Sequence, residues 1–323
     1  MRAQQDVSFG HYWAMEPSFN PGSVGKEDKL NVAVAYAMQF AGFEHNPQTM
    51  YAAGDMPFYG LGTYHGVGLQ LLNDAIGLFS HKRLGAQYAY KMRLFGGRLS
   101  LGVEANILSE GFDGSKAEMP ESNTDPAIAT TDVTGTGIDF GAGLYYTHKN
   151  WYVGVSGLHL NSPTVELGET NELEVPATFY LTGGYNIRLR NPFLSIHTSA
   201  LGRTDGVVWR ADITGRLKYT HEKRMMYAGV SYSPTNSVTV MLGGNFHGIH
   251  LGYSYEVYTT AINVGNGSHE LFVGYQTDLD LFKKGKNLHK SVRISAKRAA
   301  TAKLPTSCIS LPRRTDRLFY LPF

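Results

Sequence analysis

The sequence predicts an all-β protein, a transmembrane antiparallel up-and-down β-barrel of about 14 strands. Three observations carry this. Apolar and polar residues alternate with a period of two through one segment after another, which is the signature of strands with two unlike faces. Many of these segments outrun the five or six residues usual in a soluble strand and reach the nine to eleven or so that a tilted strand needs to cross a bilayer. The connections between them alternate in length, short then long, as in outer-membrane barrels.

The elements follow in order. Residues 4–29 carry Pro17, Pro21 and the aromatics Phe9, Tyr12, Trp13 and Phe19. Aromatic side chains are rare in flexible linkers, so 1–29 is expected to be an ordered periplasmic or lumen-side segment. Strands are then predicted at 30–42, 48–55, 60–72, 83–94, 98–108, 136–147, 151–160, 176–189, 193–201, 206–219, 224–232, 237–245, 248–258 and 269–279. Tight turns are expected at Gly96-Gly97, Lys149-Asn150, Asn191-Pro192 and His247-Gly248, which have turn-forming residues. Long connections are expected at 109–135, 161–175 and 259–268, whereas those near 43–47, 202–205 and 233–236 are short. The barrel is expected to occupy 30–282 and a basic, disordered tail 283–323. An even strand count with short periplasmic turns puts both termini in the periplasm.

The segment GVVWRADITGRLKYT (206–220) sets the facing of its strand. Trp209, Ile213, Leu217 and Tyr219 form one face, and Arg210, Asp212, Arg216 and Lys218 the other. A basic residue facing lipid at the membrane midplane costs about 2–4 kcal/mol, so the charged face turns inward. The same parity turns Lys91, Arg93, Glu104, Arg188, Arg190 and Glu256 inward. These charges could line a channel or knit a filled interior, and the sequence leaves both open.

Composition agrees with this class. The 37 glycines disfavour helices and suit turns and crowded strands. No apolar run is long enough for a membrane-spanning helix, which says nothing against strands. Residues 283–323 hold 11 of the 29 Lys and Arg but one of the 27 acids, Asp316, so the rest of the chain is mildly acidic. An acidic body with a basic tail is not the footprint of a nucleic-acid-binding domain, and no nucleic-acid partner is expected. Cys308 is the single cysteine, which excludes an intramolecular disulfide. The few residues before Gln4 are too short for a signal-peptide core, so a signal is expected to be missing from this chain.

Motifs for chemistry are absent. The 12 histidines form no HExxH, and there is no GxSxG. GLGTYHGVG (60–68) lacks the GK[ST] ending of a phosphate loop, and its glycines are read as relieving crowding between strands. Glu110, Asp113, Glu118, Glu121, Asp125 and Asp132 lack the spacing of a Ca²⁺ loop, and 109–137 is read as a solvated loop. No catalytic, cofactor-binding or metal-binding residue and no cofactor is predicted.

Several segments resemble the PorP/SprF family of type IX secretion system outer-membrane proteins of Bacteroidota. They are Gln4-Gln5-Asp6 followed by HYWAMEPSFNPGSVG (11–25), QFAGFEHNPQT (39–49) with Phe40 in place of the usual Trp, GVGLQLLNDAIG (66–77), FGAGLYYTHKNWYVGVSGLHL (140–160) and GSHELFVGYQTDL (267–279). The resemblance covers roughly residues 4–294, and the tail from Ser295 departs from it. It implies a non-enzymatic outer-membrane barrel needed for export or surface anchoring of cargo with C-terminal secretion signals, with a link to gliding motility. It further implies partners in a periplasmic ring lipoprotein and a peptidoglycan-binding subunit, besides outer-membrane lipid. The alternatives that the residues leave are a porin or solute transporter and an outer-membrane barrel enzyme.

Overall fold

A computed structural model describes residues 6–116, 132–168, 171–222, 224–234, 236–259 and 266–278. Sixteen strands are described. Fourteen of them close into one antiparallel barrel: β1 (Leu30–Met38), β2 (Gln48–Gly60), β3 (Thr63–Ile76), β4 (Phe79–Leu94), β5 (Gly97–Asp113), β6 (Asp132–Thr147), β7 (Trp151–Leu158), β10 (Thr178–Arg188), β11 (Leu194–Thr204), β12 (Trp209–His221), β13 (Arg224–Ser233), β14 (Ser237–Phe246), β15 (Ile249–Tyr258) and β16 (Ser268–Thr277). The other two, β8 (Thr164–Leu167) and β9 (Asn171–Glu174), form a separate hairpin within the β7–β10 connection. Closure is made by β1 against β16, with Leu30 opposite Thr277, so the barrel begins and ends at the same rim. Closing the sheet leaves no unpaired edge between its first and last strands.

The predicted up-and-down barrel is thus observed, and its 14 strands appear in the predicted order. Their ends differ where turn geometry decides. The turn after β4 lies at Phe95-Gly96, one residue before the predicted pair, because Leu94 is opposite Gly97. Phe95 and Gly96 both have positive φ (46° and 76°), as a two-residue primed hairpin turn requires. Leu61-Gly62 and His247-Gly248 repeat this geometry. The predicted loop 109–137 is largely strand at both edges, since β5 runs to Asp113 and β6 starts at Asp132. These ends carry no strict apolar alternation because strands that rise past the bilayer face water on both sides. The acids Glu118, Glu121 and Asp125 lie outside the described residues, as does the basic tail 283–323.

The two faces of the wall differ in chemistry. Leu69, Leu84, Val103, Leu144, Leu181 and Ile213 are exposed on the outside, while Gln70, Arg83, Gln87, Glu104, Asp139 and Thr214 are buried inside. This is the reverse of a soluble barrel, whose apolar side chains fill the interior. Outward-facing aromatic pairs stand near the short-turn rim, including Phe58–His65 (4.9 Å between rings) and Tyr146–Trp151 (5.3 Å). Such rings suit the membrane–water boundary, where one end is apolar and the other wet. Among the described residues no helix is long and apolar enough to cross a membrane.

Candidate functional site: a plugged lumen and its vestibule

Residues 6–29 run through the interior of the barrel as three short 3-10 turns, Tyr12–Ala14, Glu16–Ser18 and Pro21–Ser23, joined by extended backbone. Prolines at the start of the second and third turns fix φ and remove a donor the turn does not need. Asn20 caps the third, its side-chain oxygen accepting from Gly22 N–H at 2.8 Å. The aromatics that argued for order are packed: Phe9, Tyr12 and Phe19 are buried, and Phe19 stacks on Tyr180 at 5.6 Å.

A short irregular segment leaves many backbone groups without ladder partners, and the wall supplies them. Glu270 accepts from Gly10 N–H (2.6 Å) and His11 N–H (3.0 Å) and touches His11 Nδ1 at 2.6 Å. Arg203 donates to the carbonyls of Asp6 (3.0 Å) and Val7 (3.1 Å), Arg83 to that of Ser18 (3.1 Å), and Gln87 to that of Pro17 (2.7 Å). Ser156 donates to the Phe19 carbonyl at 2.6 Å, and Lys91 to the Gly25 carbonyl. Tyr12 hydroxyl donates to Ser199 or Thr214, each 3.0 Å away. Buried Glu16 accepts from Lys26 (2.5 Å) and Tyr145 (2.8 Å).

Inward glycines let the backbone of the segment reach the wall. A Cβ on Gly102 would overlap Pro21 and Gly22, and one on Gly66 would overlap the Val24 carbonyl. Gly66 belongs to GLGTYHGVG, so at this position the glycine accommodates the inserted segment rather than a neighbouring strand.

Asp6 anchors the start of the segment. His159 lies 3.4 Å and Arg83 3.7 Å from its carboxylate, and the Tyr180 hydroxyl donates to it. Burial pushes the Asp6 carboxyl up, but His159 and Arg83 outweigh it and hold the group well below the usual carboxylate range. The polar chain continues through Asp139, 3.1 Å from His159, to Asn106 and Glu104. The β8–β9 hairpin packs inside the rim at the long-connection end: Val165 and Leu167 are buried, and a Cβ on Gly135 would strike Val165 and Glu166.

At the short-turn end a cavity of about 970 Å³ remains between the inserted segment and the wall. Trp13, Glu16 and Lys26 of the segment form part of its surface, and β10–β16 supply His197, Arg216, Lys218, Tyr227 and His250. Glu222, His247 and Asp278 stand at its mouth.

The inward charges are distributed unevenly. Arg210 pairs with Asp212 (3.1 Å) and Glu256 (3.0 Å), and Asp212, Lys91 and Glu104 are buried in the interior. Arg216 and Lys218 face the vestibule. Arg93, Arg188 and Arg190 share the inward parity but sit at the short-turn rim, exposed. Trp209, Ile213, Leu217 and Tyr219 face outward. Glu270, Arg203 and Arg83, which hold the segment, were not singled out from the sequence. Their contacts join residues 259, 197 and 65 positions apart in Glu270–His11, Arg203–Asp6 and Arg83–Ser18, and no local pattern signals them. Among the described residues no group of three or more His, Cys, Asp or Glu is placed to hold a metal ion.

Among solved structures, the fold is similar to the CymD monoaromatic hydrocarbon channel, with a TM-score of 0.50 and 11% identity over 84% of this chain and 94% of that one. A FadL homologue of Pseudomonas aeruginosa gives a TM-score of 0.49 and 13% identity over 80% of this chain and 92% of that one. At such identity the likeness to CymD speaks for the outer-membrane barrel fold alone. No curated protein matches the sequence. The model of the family described as type IX secretion system membrane protein PorP/SprF matches residues 1–275, the inserted segment and almost the whole barrel together. The chain belongs to the PorP/SprF family of type IX secretion system membrane proteins.

Proposed function

We propose that this chain is a non-enzymatic outer-membrane subunit of the type IX secretion system that supports export or surface anchoring of cargo with C-terminal secretion signals. The family match over residues 1–275 carries this reading. The inserted segment favours a scaffold over a solute pore, because it fills the interior from Asp6 to Lys29 and is held by buried charged and polar groups. The rim where β1 begins and β16 ends is the periplasmic one, as its short turns suggest. Both barrel termini and the vestibule then face the periplasmic ring lipoprotein and the peptidoglycan-binding subunit, the partners that fit this side.

The test is deletion of the gene in a strain lacking other members of the family, followed by fractionation of cargo. Cargo bearing C-terminal signals accumulates in the periplasm and returns to the surface when the full chain is restored. Undiminished surface display after deletion contradicts the proposal.

A further inference from the structure

Two cations of the vestibule wall, Arg216 and Lys218, have no ion-pair partner among the described residues. His197 lies directly across from Arg216 on the neighbouring strand, and Ser195 across from Lys218, so these side chains share one inward patch. His250 lines the same cavity from β15. Among the described residues no carboxylate lies within 4.0 Å of Arg216 or Lys218, in contrast with Arg210, which has two. Arg216 Nε is buried without a hydrogen-bond partner, and its guanidinium lies over Trp13. Five acids also line the cavity, but Glu16 is paired with Lys26, Asp55 accepts from Gly25 N–H, Glu27 and Glu222 are exposed, and none of these or Asp278 pairs with this patch.

Patches of unpaired charge in a concave, partly desolvated site favour a ligand of opposite sign. The spacing narrows its chemistry. Arg216 and Lys218 are alternate residues of one strand, so their Cα atoms are about 6.6–6.8 Å apart. That is also the repeat of same-side residues in an extended peptide. A single small anion calls for donors converging on one point, whereas these cations are strung along the wall beside Trp13 and Tyr227. A cavity of about 970 Å³ has room for several peptide residues.

We infer that the vestibule is a binding site for an extended acidic peptide, with alternate carboxylates set against Arg216 and Lys218. The inference rests on the secretion reading, because a peptide arriving from the short-turn side belongs to another component of that machinery or its cargo. Arg216 supplies a planar fork for one carboxylate, and Lys218 a point charge for the next.

The test uses the full chain in detergent micelles and a fluorescein-labelled (Ser-Glu)5 peptide, read by anisotropy. Lys218→Glu is compared with Lys149→Glu, which makes the same charge change at an exposed turn outside the vestibule. The wild type binds, Lys149→Glu binds equally well, and Lys218→Glu binds at least about tenfold more weakly, because like charges then meet. Arg216→Lys, which keeps the charge, retains part of the binding. Heat-dependent mobility on SDS gels verifies that each variant is folded. Equal losses in Lys149→Glu and Lys218→Glu, no binding by the wild type, or displacement by equimolar inorganic phosphate each overturn the inference. A chain that restores cargo export but does not bind the peptide rejects the site and leaves the secretion role standing. A chain that binds the peptide but leaves export unaffected by its deletion rejects the secretion role instead.

Discussion

The Arg216 guanidinium carbon lies 3.6 Å from the centre of the Trp13 ring, joining β12 to the segment inserted in the barrel. Tyr227 meets the same ring edge-on at 5.2 Å. A cation held against an aromatic face away from bulk water contributes on the order of 1–2 kcal/mol. The contact thus ties the inserted segment to the wall beside the vestibule.

Trp13→Ala removes both contacts and leaves a void. The expected cost is about 3–5 kcal/mol of docking stability, read as faster protease cleavage within residues 6–29. Trp13→Phe keeps a ring for Arg216 and retains most of the protection.

Glu270→Ala strands the N–H groups of Gly10 and His11 inside the barrel. Each stranded donor costs about 1–3 kcal/mol. Hydrogen exchange of residues 7–15 rises, while exchange in β14 and β15 stays near the wild-type rate. Unchanged exchange at Gly10 and His11 contradicts the anchoring role of Glu270.

Gly102→Val and Gly66→Val put side chains where Pro21, Gly22 and the Val24 carbonyl lie. Both are expected to displace the inserted segment and yield an ion-conducting barrel. Gly215→Ala is the control, since nothing lies within 4 Å of its new Cβ. It leaves both assembly and conductance unchanged.

The wall was legible because its pattern is local. In β12, Ile213 and Leu217 alternate with Asp212, Thr214 and Arg216, and the cost of facing charge to lipid fixes which side is which. The ends of β5 and β6 were harder to read because they lie where neither face has to be apolar. The inserted segment was legible as ordered from Tyr12, Trp13 and Phe19, but its position was not. That position rests on Asp6, Arg83, Arg203 and Glu270, whose partners are far apart in the chain and follow no period. Whether the inward charges line a channel or bind a filling was open for the same reason. The unpaired state of Arg216 and Lys218 beside the paired Arg210 became visible only once the wall was closed.

Ile213→Arg tests the orientation of the same strand. Ile213 is exposed on the outer face, and an arginine there costs about 2–4 kcal/mol if the site lies near the membrane midplane. Assembly into the heat-modifiable form falls. Thr220→Arg, near the rim of the same strand, assembles normally.

The proposed scaffold role requires residues 6–29 to keep the barrel plugged. Planar-bilayer recording of the full-length chain tests this most directly. A silent bilayer is expected for the wild type and stepwise conductance for Gly102→Val, whose inserted segment is displaced. Steady ohmic conductance from the wild type would contradict the scaffold role.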